Sequence, residues 1–86
     1  METATADQIR SYVDNAVIGP ARSAGAKVVN IRARDIHRHM GLKQRMPAVC
    51  SALDAQKFQI ECRVTLVRRD GPKQGPCAVW VFAIEP

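Results

Sequence analysis

Residues 28 to 55, VVNIRARDIHRHMGLKQRMPAVCSALDA, constrain the fold more than any other stretch of this chain. Lys27 to Arg32, KVVNIR, reads as a short strand carried by Val28, Val29 and Ile31. ARDIHRHM, residues 33 to 40, reads as a helix. Ile36 and Met40 lie four apart on its core-facing side, and Arg34, Asp35, Arg38 and His39 face outward. Gly41 suits the left-handed residue that closes a helix, with Leu42 packing inward behind it. Pro47 marks the first turn of a second helix, where a missing N–H costs nothing. Val49, Ala52 and Leu53 form its inward stripe, leaving Ala48, Ser51 and Ala55 on the outward side. Those outward residues are small, so the helix backbone can approach another surface closely.

The flanks complete one domain. Residues 4 to 18 open with Thr5 as N-cap and Asp7 in the first turn. Ile9, Tyr12, Val13, Ala16 and Val17 then repeat at helical spacing, and Gly19-Pro20 is expected to interrupt the helix. After the helix pair, Phe58 to Arg69 reads as a strand, with Ile60, Cys62, Val64 and Leu66 alternating. Arg68 to Pro76, RRDGPKQGP, reads as the loop of a hairpin, and Cys77 to Ile84 as its return strand. That strand is apolar on both faces, Ala78, Trp80, Phe82 and Ile84 on one, Cys77, Val79, Val81 and Ala83 on the other. Such a strand is central or covered, either by the first helix or by a second copy of the chain. Eighty-six residues make one domain with one modest core. The expected fold class is α+β, three helices with a small antiparallel sheet, over residues 1 to 86.

The net charge of +5 is unevenly placed. Lys27, Arg32, Arg34, Arg38, Lys43 and Arg45 face Asp35 alone in residues 27 to 45, a net of +5; residues 57 to 73 hold +3, and the rest −3. The positive charge therefore sits on the helix pair and the hairpin, the electrostatic footprint of a polyanion binder. Other classes fit less well. No apolar run approaches the ~20 residues of a membrane helix, and METATADQIR lacks the regions of a secretory leader, which points to the cytoplasm. Cys50, Cys62 and Cys77 are odd in number and widely spaced, against a disulfide framework. His37 and His39, two apart on a helix, point in different directions and cannot chelate one metal. No nucleophile stands beside a base, and no phosphate-binding glycine loop occurs, so neither catalysis nor a cofactor is expected. Aromatics are only 5% of the chain, and Trp80 reads as core, against a single-strand binder built on stacking.

The order helix, strand, helix, helix, strand, loop, strand resembles the winged-helix branch of the helix-turn-helix superfamily, of small prokaryotic type. IRARDIHRHMGLKQRMPAVCSAL and VTLVRRDGPKQGPCAVWVF carry the resemblance, which spans about Thr5 to Ile84. The segment between Gly41 and Pro47 is slightly longer than the tightest turns of that family. The resemblance implies a second helix lying in the major groove of double-stranded DNA and a wing touching backbone or minor groove. Carried over, it places Lys43, Gln44, Arg45, Ala48 and Ser51 on the groove side, Arg68, Arg69 and Lys73 on the wing, and Arg34 and Arg38 on the supporting helix. The function it implies is that of a small transcription regulator, with a homodimer matching a palindromic site. The alternative is a winged-helix module that binds protein, with Trp80, Val79 and Val81 in the interface. An architectural binder without sequence preference differs only in its specificity ratio.

Overall fold

The computed structural model describes residues Thr5 to Glu85. Helix α1, Ala6–Val13, begins in a capping box: Thr5 Oγ1 accepts from the Gln8 N–H at 3.2 Å, and Gln8 Oε1 accepts from the Thr5 N–H at 2.8 Å. Residue 4, the expected opening of this segment, lies outside the described residues.

The expected break at Gly19-Pro20 does not occur. Asp14–Ile18 forms a π-helical turn, the Gly19 N–H reaches back to the Asp14 carbonyl, and α2, Gly19–Ser23, continues in helical conformation. A proline inside an α-helix lacks a donor and collides with the carbonyl four residues back. The wider π turn absorbs one extra residue just before Pro20 and so carries the helix past it. The helix ends at Gly25, with φ +80°. There the Gly25 N–H donates to the Arg22 carbonyl and the Ala26 N–H to the Ala21 carbonyl.

Strand β1 is Val28–Arg32, followed directly by α3, Ala33–His39, and α4, Met46–Asp54. The next element departs from the expected pattern. Residues 58 to 62, expected as strand, lie in helix α5, Gln56–Cys62. Phe58 and Cys62, four apart, are its buried pair, while Ile60 is 71% exposed. The same residues satisfy a period of two and a period near four, and helix won because Phe58 and Cys62 reach the core together. Arg63 closes α5 in the left-handed conformation, φ 54°, and β2, Val64–Asp70, starts after it. The fold thus has one helix more than the pair and opening helix expected.

Strand β3 is Val79–Ile84, shorter by two residues than expected, and Arg68 to Asp70 belong to β2 rather than to the loop. The sheet is antiparallel in the order β1-β3-β2. Its inner face carries Ile31, Trp80, Phe82 and Val64 into one core with Ile9, Val13 and Ile18 of the first helical stretch and Ile36, Val49, Leu53 and Phe58 of the others. The Phe58 and Phe82 rings meet at 5.1 Å between centroids, tilted by 57°. The opening helix therefore packs on the inner face, and the other face of β3 is not its partner. Among the described residues no helix is long and apolar enough to cross a membrane.

Candidate nucleic-acid interface

The turn between α3 and α4 is fixed by local chemistry. Gly41 adopts φ +67°. Its N–H donates to the Arg38 carbonyl, and the Leu42 N–H to the His37 carbonyl, each at 3.0 Å, the paired bonds of a glycine-terminated helix. Leu42 packs against the core as expected. Gln44 is the second left-handed residue of the turn, φ 54°, and the Arg45 N–H then donates to His37 Nε2 at 3.1 Å. His37 is thus the acceptor that ties the start of α4 to α3.

Helix α4 is more deeply set than the sequence implied. Val49, Cys50, Ala52 and Leu53 are all buried, and Ala48 is half-buried against the core rather than standing clear of it. What α4 shows to solvent is a narrow strip at helical spacing, Pro47, Ser51 and Asp54. Alanine lacks the length to reach past its neighbours, so once Cys50 joined the inward stripe the helix rotated Ala48 toward the core as well.

Residues 71–78 join β2 to β3 and fold back onto α3 and α4. The Ala33 and Arg34 N–H groups, at the start of α3, donate to the Ala78 and Pro76 carbonyls at 2.9 and 3.2 Å. Cys50 Sγ lies 3.9 Å from the Gly75 carbonyl. Lys73 and Gln74 border a shallow cleft with Ser51 and Asp54. Gly71 is required here: its φ is +87°, and a Cβ would come within 2.5 Å of the Cys77 carbonyl oxygen.

Two of the three cations assigned to the wing sit elsewhere. In β2 the pairing with β3 slips between Leu66 and Arg68, a bulge at Val67. Leu66 opposes Phe82 and faces inward; after the bulge Arg68 opposes Val81 and faces outward, and Arg69 opposes Trp80 and faces inward. Without the extra residue Arg69 would point away from the core. Its guanidinium instead stacks 4.6 Å from the Trp80 ring centre, and Nε donates to Asp54 Oδ1 at 3.1 Å. Its Nη atoms donate to the carbonyls of Asp70, Gly71, Pro72 and Lys73. Trp80, fully buried, donates from Nε1 to the same Asp54 oxygen at 2.7 Å. Asp54 and Arg69 therefore lock the loop to the end of α4. Arg68, paired with Asp70 at 2.7 Å, lies on the sheet face turned away from the helices. No sequence signal marks the inward turn of Arg69.

Arg34 and Arg38 on α3, Lys43, Gln44 and Arg45 in the turn, and Lys73 in the loop are all exposed, and Lys73 borders the cleft that holds Ser51 and Asp54. The two acids of the region are occupied, Asp35 with Arg38 at 3.4 Å and Asp54 with Arg69 and Trp80. A separate cleft on α1 and α5 mixes signs, with Asp7, Asp14 and Glu61 beside Arg10 and Lys57. The three cysteines are free, Cys50 and Cys62 buried and Cys77 exposed. Burial, reinforced by the charge of Asp14, pushes the Cys62 thiol up to about 11. Among the described residues no group of three His, Cys, Asp or Glu side chains could hold a metal ion. In comparisons with family models, with curated proteins and with solved structures, nothing matches this chain.

Proposed function

We propose that this chain is a winged-helix domain that binds duplex DNA, with α3 and α4 as its helix-turn-helix and residues 71–78 as its wing. The observation that carries this reading is that Pro47 and Ser51 of α4, Arg34 and Arg38 of α3, Lys43 of the turn and Lys73 of the loop are all exposed, Lys73 bordering the cleft that holds Ser51, while Asp35 and Asp54 already hold partners. The strand order β1-β3-β2, with α3 and α4 among the three helices between β1 and β2, supports this reading. Helix α5 is an addition to the pattern and follows α4 in the chain.

Arg34, Arg38, Lys43 and Lys73 neutralise phosphates, while Gln44, Arg45 and Ser51 stand where base edges would be read. An α-helix such as α4 is ~10–12 Å across with its side chains, which the ~12 Å width of the major groove admits. Arg68 and Arg69 leave the contact set, the first because of its face and the second because its donors are spent on the loop. The biological class this implies is a small transcription regulator.

Fluorescence anisotropy with a random-sequence duplex over a salt series tests the reading. Four phosphate contacts give a log–log salt slope of roughly −3.6, and Lys73→Ala reduces its size by ~0.9, whereas Arg68→Ala leaves it unchanged. Ser51→Glu is expected to melt within ~0.5 kcal/mol of the parent and to lose binding, because a carboxylate is pushed toward phosphates. A normally folded Ser51→Glu variant that binds normally removes α4 from the interface.

A further inference from the structure

The sheet face turned away from the helices is apolar down its centre and polar at its sides. Val79, Val81 and Ala83 of β3 stand half-exposed on it, outside the residues that pack on the core. Val28 on β1 is 52% exposed, and Val67, the bulge residue of β2, is 62% exposed. A solvated face of an antiparallel sheet normally alternates to polar residues. Apart from Val28 and Val67 the flanking strands do so, with Asn30 and Arg32 on β1 and Thr65, Arg68 and Asp70 on β2, whereas β3 stays apolar on both sides throughout. An apolar centre with a polar rim is the anatomy of a protein interface.

The register of the sheet says what fits it. Across the three strands the rows read Arg32–Val79–Asp70, Asn30–Val81–Arg68 and Val28–Ala83–Thr65. Residues directly opposite in a ladder share a face, so each row lies on this surface. A two-fold axis running along β3, in the plane between two such faces, lays β1 of one copy over β2 of the other. Arg32 then meets the partner's Asp70, twice by symmetry, while Arg68 meets the partner's Asn30. Val81 meets Val81 and Ala83 meets Ala83 along the axis. Arg32 has no ion pair within the chain among the described residues. Asp70 already pairs with Arg68 of its own chain at 2.7 Å, so the partner's Arg32 joins that pair, and the face meets itself through one ion-pair contact repeated by symmetry.

We propose that this face is the interface of a symmetric homodimer, packed sheet on sheet with aligned strands at a spacing of ~10 Å. The inference does not rest on DNA binding. The α3–α4 surface belongs to the helical side of the sheet, so both copies keep it free. Three strands cover less than the ~1,600 Å² of a standard interface, the size class of weak and transient contacts, so the dimer is looked for at ~10–100 μM protein.

Sedimentation equilibrium across that range on the full chain tests the proposal. The parent is expected to show a monomer–dimer equilibrium. Val67→Glu, at a position already exposed and therefore harmless to the fold, is expected to weaken it at least ~10-fold, as is Val81→Glu with an unchanged melt. Asp70→Arg sets two cations against each other and weakens the dimer, and Arg32→Glu with Asp70→Arg restores it. A monomer throughout, as a face meant for a different protein would give, overturns the proposal. So does a dimer indifferent to Val67→Glu and Val81→Glu, or a charge reversal no tighter than Asp70→Arg alone.

Discussion

Asp54→Ala is the substitution whose consequences follow most directly from the structure. Asp54 Oδ1 accepts from Trp80 Nε1 at 2.7 Å and from Arg69 Nε at 3.1 Å. Trp80 is fully buried, so deleting the carboxylate leaves its N–H without a partner, at a cost of ~1–3 kcal/mol. The ion pair to Arg69 adds less, because the two side chains are 20% and 37% exposed and water screens them; ~0.5–1 kcal/mol is reasonable. The sum, ~2–4 kcal/mol, lowers the melting temperature of a domain this size by roughly 10–25 °C. Asp54→Asn keeps an acceptor for Trp80 and loses only the charge, so it should cost about 1 kcal/mol. Thermal melts of both variants, repeated on a Trp80→Phe background, make the check. With no indole N–H to strand, Asp54→Ala should cost less there by at least ~1 kcal/mol. Additive costs, or an alanine variant no worse than the asparagine one, would refute the claim that Asp54 acts by satisfying Trp80. Arg69 loses its Asp54 partner in the same variant, so if the proposed DNA binding holds, the loop carrying Lys73 loosens and the affinity should fall even where the fold survives.

Gly71→Ala should destabilise by at least ~2 kcal/mol in a denaturant titration, since φ is +87° and its Cβ would meet the Cys77 carbonyl oxygen; Gly25→Ala, at φ +80° in open space, should cost only ~1 kcal/mol. Arg63→Gly should stabilise by about 0.5–1 kcal/mol in the same assay, because Arg63 holds the left-handed position that closes α5. The Cys62 thiol has its proton held from the ordinary value of 9.0 up to about 11 by burial and by Asp14. The unfolded chain loses that proton first, so this group removes stability as pH rises from 9.0 to about 11. Below pH 9 a thiol reagent should label Cys77 long before Cys62; comparable rates would contradict the buried placement.

The sequence alone determined the parts governed by local rules. Thr5 and Gln8 specify a helix start, and Gly41 specifies the left-handed close of α3 because other residues meet a steric penalty there. Pro47 fits only a first turn, and KVVNIR is an extended run. The concentration of cations on the helix pair can be counted along the chain, whereas the placing of β3 rather than β2 beside β1 came only with the structure. Tertiary structure decided whatever depended on which side of an element meets the core. Phe58 to Cys62 fits both periods, and only the core's demand for Phe58 and Cys62 together made it helix α5. Asp14–Ile18 became a π turn, whose extra residue let the helix run on through Pro20 to Ser23 where the sequence signals a stop. The bulge at Val67 has no local signature, yet it turned Arg69 from a wing cation into the clamp on Trp80 and moved Arg68 to the far face. One residue of slip inverts every side chain after it. The composition of the candidate site was therefore legible in the chain, but its membership was fixed by pairing energies between strands distant in sequence.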